Sequence, residues 1–239
     1  MKKKLTKYFY WGILLLLGIL FVAKFAGGRI LRFYVESGVG DYQKIPILCM
    51  APREAIDTSQ INEEYIKELL PYSFPTFTIS LPKGFNVIQS TIKKVYFKKA
   101  HRRPYAGPVI YLLHRKQDFF INLFPQVNKQ GVKDDYDFIK RTMFANLKEI
   151  NNLTDAFFVI MKSIFIPDLK SHTNVKMIQF SMPDRRGFIN YNLTNKESYY
   201  DCNVIDSAGD FYKIYIKDKD SDLDLYKLFA IISTFNARR

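Results

Sequence analysis

The chain has 239 residues, 48% hydrophobic and 25% charged, with 21 Phe and 16 Tyr, which excludes wholesale disorder and leaves room for one large domain or two small ones. Its formal charge of +13 is unevenly placed: residues 1–32 carry seven basic residues and no acid, and the rest carries 29 basic against 23 acidic. The folded part is therefore only mildly basic, and a nucleic-acid partner is disfavoured.

Residues 1–7 form a basic tail with Lys2, Lys3, Lys4 and Lys7. Tyr8–Ala26 then reads YFYWGILLLLGILFVAKFA. As a helix it spans roughly 28 Å, close to the hydrocarbon thickness of a bilayer. Its apolar body includes Leu15, Leu16, Leu17, Ile19, Leu20 and Phe21; Tyr8, Tyr10 and Trp11 suit one interface, and Lys24 snorkels to the other. The segment is expected to be an uncleaved transmembrane signal-anchor. A cleaved secretory signal competes, with small residues at Ala26-Gly27-Gly28, but Lys24 fits poorly just before such a site. The excess of lysine on the N-terminal side predicts a cytoplasmic N-terminus and an extracytoplasmic main domain, periplasmic in a bacterium.

Residues 27–57 are expected to be a tether, broken by Gly27-Gly28 and Ser37–Asp41, and residues 58–239 the domain. Thr58 or Ser59 is placed to cap a helix with the stripe Ile61, Tyr65, Ile66, Leu69 and Leu70, ended by Pro71. Phe77–Leu81 alternates as a strand and stops at Pro82-Lys83-Gly84. Val95–Phe97 is a shorter strand candidate. Val109–His114 and Phe119–Phe124 are expected to pair as a hairpin around Lys116–Asp118. Asp134 or Asp135 caps a helix to about Asn151, with Ile139, Met143, Leu147 and Ile150 on one face. Ala156–Phe165 is apolar nearly all round and is expected to be a deeply buried helix. Val175–Met182, Gly187–Leu193, Tyr199–Ile205 and Phe211–Lys217 read as an antiparallel meander, and Leu223–Thr234 as a closing helix. The whole predicts an α+β fold, a mostly antiparallel sheet of six to eight strands flanked by helices.

FTISLPKGF (Phe77–Phe85), the strands, central helix and meander that follow, and the final strand, polar turn and helix ending in Thr234-Phe235 resemble the Mog1/PsbP-like superfamily. The resemblance covers about Phe77 to Phe235. It implies a non-enzymatic binding or assembly factor, many bacterial members being envelope proteins, and carries no binding residues onto this chain.

No catalytic, cofactor-binding or metal-binding constellation stands out. Asp218, Asp220, Asp222 and Asp224 alternate as in a calcium loop, but Leu223 and Phe229 occupy the positions that need glycine and a bidentate acid, so a helix-capping turn, with Ser221 or Asp222 as the cap, is expected. The three histidines, His101, His114 and His172, lack ligand spacing, and His114 reads as an ordinary surface or edge residue at a strand end. Cys49 and Cys202 form neither a disulfide framework nor a zinc site; one bridge or two free thiols remain open. The most distinctive polar feature is IKKVYFKKAHRRPY, where Lys93, Lys94, Lys98, Lys99, Arg102 and Arg103 crowd with Tyr96, Phe97 and Tyr105. It is read as the contact for an anionic ligand or envelope protein, against an edge strand blunted by lysine. The expected function is thus a membrane-tethered, non-catalytic binding or assembly module. The alternatives are an enzyme with an unrecognised site, or a carrier of a lipid or small apolar ligand using Ala156–Phe165.

Overall fold

A computed structural model describes residues 28–37, 46–57, 61–91, 94–99, 109–166, 175–194, 197–218 and 223–238. The expected transmembrane segment Tyr8–Ala26 lies outside them, as do Lys93, His101, Arg102, Arg103, His172, Asp220 and Asp222. Among the described residues no helix is long and apolar enough to cross a membrane.

In chain order, helix α1 covers residues 28–37, followed by a 3-10 turn at Pro46–Cys49, β1 (Arg53–Asp57), α2 (Glu63–Glu68), β2 (Leu70–Ser73), β3 (Phe77–Leu81), β4 (Phe85–Ser90), β5 (Lys94–Lys99) and β6 (Val109–Arg115). Then come α3 (Phe119–Leu123), a 3-10 turn at Pro125–Gln130, α4 (Asp135–Phe144), a 3-10 turn at Leu147–Glu149 and α5 (Leu153–Phe165). The chain continues through β7 (Lys176–Met182), β8 (Arg185–Thr194), β9 (Glu197–Asp206), β10 (Phe211–Asp218), α6 (Leu225–Ser233) and β11 (Asn236–Ala237). These elements fall into two units, Met1–Met50 with Ala145–Lys170, and Ala51–Phe144 with Ser171–Arg239.

The larger unit is an eight-stranded sheet in the order β1-β7-β8-β9-β10-β6-β5-β4, antiparallel except for the parallel pair β1–β7, plus a three-stranded sheet β11-β3-β2. Strand alternation builds its core: Tyr200, Cys202 and Val204 of β9 and Tyr212, Ile214 and Ile216 of β10 join Leu228, Phe229, Ile231 and Ile232 of α6. Phe235 stacks on Phe77 at 4.8 Å, and the Thr234 hydroxyl accepts from the Ser80 amide at 2.9 Å, tying the C-terminal helix to β3. In β8, a side chain at Gly187 would meet the Asn203 carbonyl oxygen at 2.0 Å, so glycine is what lets β8 and β9 pair there. The outer strand β4 exposes Val87 and Ile88, and its pairing shifts register between Val87 and Gln89, a bulge of the kind that discourages edge-to-edge association.

The meander, β3, β5 and the closing helix lie where the sequence puts them; four expectations are corrected. Phe119–Phe124 is not the second strand of a hairpin but the short helix α3, because the Asp135 carboxylate accepts from the amides of Phe119, Phe120 and Ile121 at 2.7, 2.8 and 3.1 Å and so supplies the N-terminal bonds of a helix; β6 pairs with β10 and β5 instead. The helix opening at Asp135 stops at Phe144 rather than near Asn151. In the first helix of the larger unit the cap is Asn62, whose side chain accepts from the Tyr65 amide, and Pro71 sits inside β2. In the last helix the cap is Asp224, bonded to the Lys227 amide at 2.8 Å, rather than Ser221 or Asp222.

In the smaller unit, Ile47, Leu48 and Leu147 are buried, as are Phe158, Val159 and Phe165 of α5. Asn152 caps α5 by accepting from the Asp155 amide at 2.9 Å. Helix α1 packs tightly at its start: a side chain at Gly28 would lie 3.0 Å from both Asn151 Cα and the Ile150 carbonyl oxygen. The expectation of a helix buried all round over Ala156–Phe165 is also corrected, since Ile160 is 44% and Ile164 66% exposed.

Candidate functional site

At one end of the large sheet, the turns between β7 and β8 and between β9 and β10 meet the start of α4 and the loop before α3 around a cleft of about 440 Å³. Five carboxylates line it: Asp118, Asp134, Asp135, Asp184 and Asp206. Most are already engaged in holding the fold. Asp135 serves α3; burial pushes its carboxyl above the usual range, and its three backbone bonds oppose that. Asp134 accepts from the Asp137 amide at 2.7 Å and faces Arg186 at 3.7 Å. Asp206 accepts from the amides of Ala208 and Asp210 and from the Tyr212 hydroxyl at 2.7 Å. Burial, reinforced by Asp206, raises the Tyr212 phenol so that it remains a donor. Asp184 is paired with Arg185, whose hydrogen bond holds its carboxyl below the usual range. The buried Arg185 guanidinium also donates to the carbonyls of Ile232 and Phe235 at 2.5 and 2.7 Å, closing the end of α6. Among the described residues no group of three or more His, Cys, Asp or Glu is placed to hold a metal.

A second cleft of about 490 Å³ shares Gln117 with the first and is lined by Thr76, His114, Arg115, Lys116, Phe119, Asn122 and Leu123. The register of β6 against β10 turns His114 inward, opposite Tyr212. His114 is buried rather than a surface residue, a correction. Its Nε2 lies 3.0 Å from Asp210 Oδ2, and its ring stacks on Tyr212 at 5.0 Å. Asp210 also accepts from the Gln117 amide at 2.9 Å. At the rim, the Arg115 guanidinium lies over the Phe119 ring at 5.1 Å and donates to the His114 carbonyl at 3.1 Å. Among the described residues, neither Arg115 nor Lys116 is bonded to a carboxylate. A planar cation braced on an aromatic ring beside a second cation suits a carboxylate or phosphate. Sequence reading missed this pair because nothing local distinguishes two basic residues at a strand end.

The basic cluster singled out in the sequence is divided by strand alternation. Lys94 and Lys98 share one face of β5 with Tyr96, while Lys99 falls on the other with Val95 and Phe97, beside a cleft of about 200 Å³. Lys93, Arg102 and Arg103 lie outside the described residues. Along the sheet, Asp201 is fully buried with Lys213 Nζ 3.0 Å away; burial raises its carboxyl and Lys213 pulls it back. Asn203, also fully buried, has neither amide atom bonded among the described residues. In the smaller unit, Lys162 of α5 is fully buried and donates to the carbonyls of Met50 and Ala145 at 2.6 and 2.9 Å; burial pulls its pKa down to about 7. Cys49 and Cys202 are both free thiols.

No protein-family model and no curated protein matches the chain. Among solved structures it is similar to a crystal structure from Bacteroides thetaiotaomicron VPI-5482, at 10% identity and a TM-score of 0.32, over 68% of this chain and 45% of that one. The chain thus spans less than half the length of that neighbour.

Proposed function

We propose that this chain is a membrane-tethered, non-catalytic binding or assembly module of the cell envelope, held by Tyr8–Ala26, whose larger unit is a Mog1/PsbP-like domain that takes an anionic partner at the Arg115–Lys116 cleft. The observation that carries the binding half is the contrast at the sheet end: most of the acids and the histidine are bonded into the fold, while among the described residues the two cations at the rim have no carboxylate. The junction of Thr234-Phe235 with Phe77–Leu81 supports the Mog1/PsbP-like resemblance, since it joins the two ends that carry it. Tethering raises the effective concentration of the domain at the membrane, so a modest affinity suffices there.

Crosslinking the full-length chain in its native membrane, followed by identification of what it holds, tests this. The double variant R115E/K116E is expected to lose most of the captured partner, with wild-type capture falling as salt is raised. Equal capture by R115E/K116E and loss by K94E/K98E moves the contact to β5. A second reading, acid–base catalysis by the His114–Asp210 pair, is favoured by the position of that pair on a cleft. It requires that H114Q abolish a turnover that R115E/K116E retains. None of the three clefts is lined by α5, so the apolar-carrier alternative gains nothing from them.

A further inference from the structure

Helix α5 buries Phe158, Val159 and Phe165 on one face and yet also exposes apolar residues on the face left open. Leu153, Ile160 and Ile164, at seven- and four-residue spacing, share one face and are 73%, 44% and 66% exposed. Its cation Lys162, half a turn from Leu153 around the axis, is fully buried on carbonyl oxygens. Helix α1 of the same unit shows a similar apolar surface, with Ile30, Phe33 and Tyr34 at 59%, 72% and 78% exposure. Helices α1 and α5 of this small unit thus each carry an exposed apolar stripe of the kind that meets something other than water.

We infer that the outward faces of α1 and α5 rest in the headgroup–acyl boundary of the lipid bilayer, so that the smaller unit is a monotopic membrane contact as well as a link. The inference rests on the reading of Tyr8–Ala26 as a span. What selects lipid as the occupant is where that segment ends. It has the length of a bilayer core and stops two residues before Gly28, where α1 begins. Gly28 in turn touches Ile150 and Asn151, immediately before the cap of α5. The point where the chain leaves the bilayer is therefore also where Leu153 starts the exposed stripe, and α5 extends about 20 Å from it. Charge along this surface is mixed: Arg32 is bonded to Glu36 at 2.7 Å and reaches the Lys148 carbonyl, and Glu149 and Asp155 accompany Lys148. Apolar burial rather than attraction to anionic lipid is then the driving term, as in other interfacial helices.

The chain contains one tryptophan, Trp11, inside the proposed span, and this makes the test internally controlled. The full-length protein is reconstituted in nanodiscs of zwitterionic phosphatidylcholine with or without bromine near the headgroup end of the acyl chains. Trp11 emission reports the span. In a W11F background, single tryptophans at Leu153, Ile164 and Phe33 report the surface, and one at Tyr226, exposed in the larger unit, is the reference. The expected result is a bromine-dependent emission loss at Leu153, Ile164 and Phe33 comparable to that at Trp11, larger than at Tyr226 and unchanged by salt. Loss at Trp11 with none at the three surface sites overturns the inference and leaves the span standing; a second copy or a protein partner covering these faces gives that result too. No loss at Trp11 removes the span and the inference with it.

Discussion

In the larger unit buried ions are matched to partners: Asp201 faces Lys213, Arg185 holds Asp184 and two helix-end carbonyls, and Asp135 gathers three backbone amides. In the smaller unit Lys162 is buried on two neutral carbonyls, while Leu153 and Ile164 stand exposed. The first pattern is how a domain folds against water. The second makes sense where part of the surface has a different solvent. Matched buried ions thus mark the larger unit, and exposed apolar side chains are denser in the smaller one, although the larger also exposes Val87, Ile88 and Leu123.

The largest effect that sharpens this contrast is expected at Asp135. Removing its carboxylate in D135A strips the N-terminal bonds from α3 and leaves buried amides without an acceptor, at a cost of about 3 kcal/mol in unfolding free energy. D135N, which keeps one acceptor oxygen, should lose less. Denaturant unfolding followed by the amide exchange of α3 and α4 measures both. A loss below about 1 kcal/mol in D135A would show that water or another donor arrangement serves α3 equally well, and that the larger unit does not depend on its buried ions in this way.

The same residue explains where sequence reading stopped. Phe119–Phe124 carries the aromatic, apolar composition of a strand, and its helical state is imposed by an acid about fifteen positions later, beyond any local pattern. β4 was invisible for the opposite reason: only Phe85 of its six residues is buried, so an edge strand leaves no alternation to read. The meander was legible because β7 to β10 bury one face fully against α6. The basic strand β5 was legible as a feature but not as a patch, since neighbouring residues such as Lys98 and Lys99 leave a strand on opposite sides. His114 looked like a strand-end residue, and only the register with Tyr212 and the loop bearing Asp210 turns it inward.

An intermediate effect is expected from Lys162. Its folded pKa is lowered from 10.5 to about 7 by burial, so across that window the unfolded chain binds more protons than the folded one. Stability of the smaller unit should rise with pH through the window, with a slope of at most about 1.4 kcal/mol per pH unit, and level off below it where both states are protonated. Amide exchange of α5 against pH, corrected for intrinsic rates, reads this locally. K162M should abolish the slope; an unchanged slope would assign it to another group, and a slope of opposite sign would mean that the two carbonyls hold the ammonium charged more firmly than burial disfavours it.

The smallest effect falls on the exposed stripe, and it tests whether that surface belongs to the protein or to its surroundings. Ile164 is two-thirds uncovered, so I164Q removes little packing. In detergent, where the outer face is bathed uniformly, the thermal midpoint should move by no more than the equivalent of about 0.5 kcal/mol, the usual range for surface substitutions. In nanodiscs the same change sets a polar amide against acyl chains, and exchange protection along α5 should fall relative to wild type. Equal behaviour in both media would mean that the stripe is simply exposed apolar surface. A loss well above 1 kcal/mol in detergent would mean that Ile164 packs against protein, which would make the smaller unit as inwardly organised as the larger one and dissolve the contrast between them.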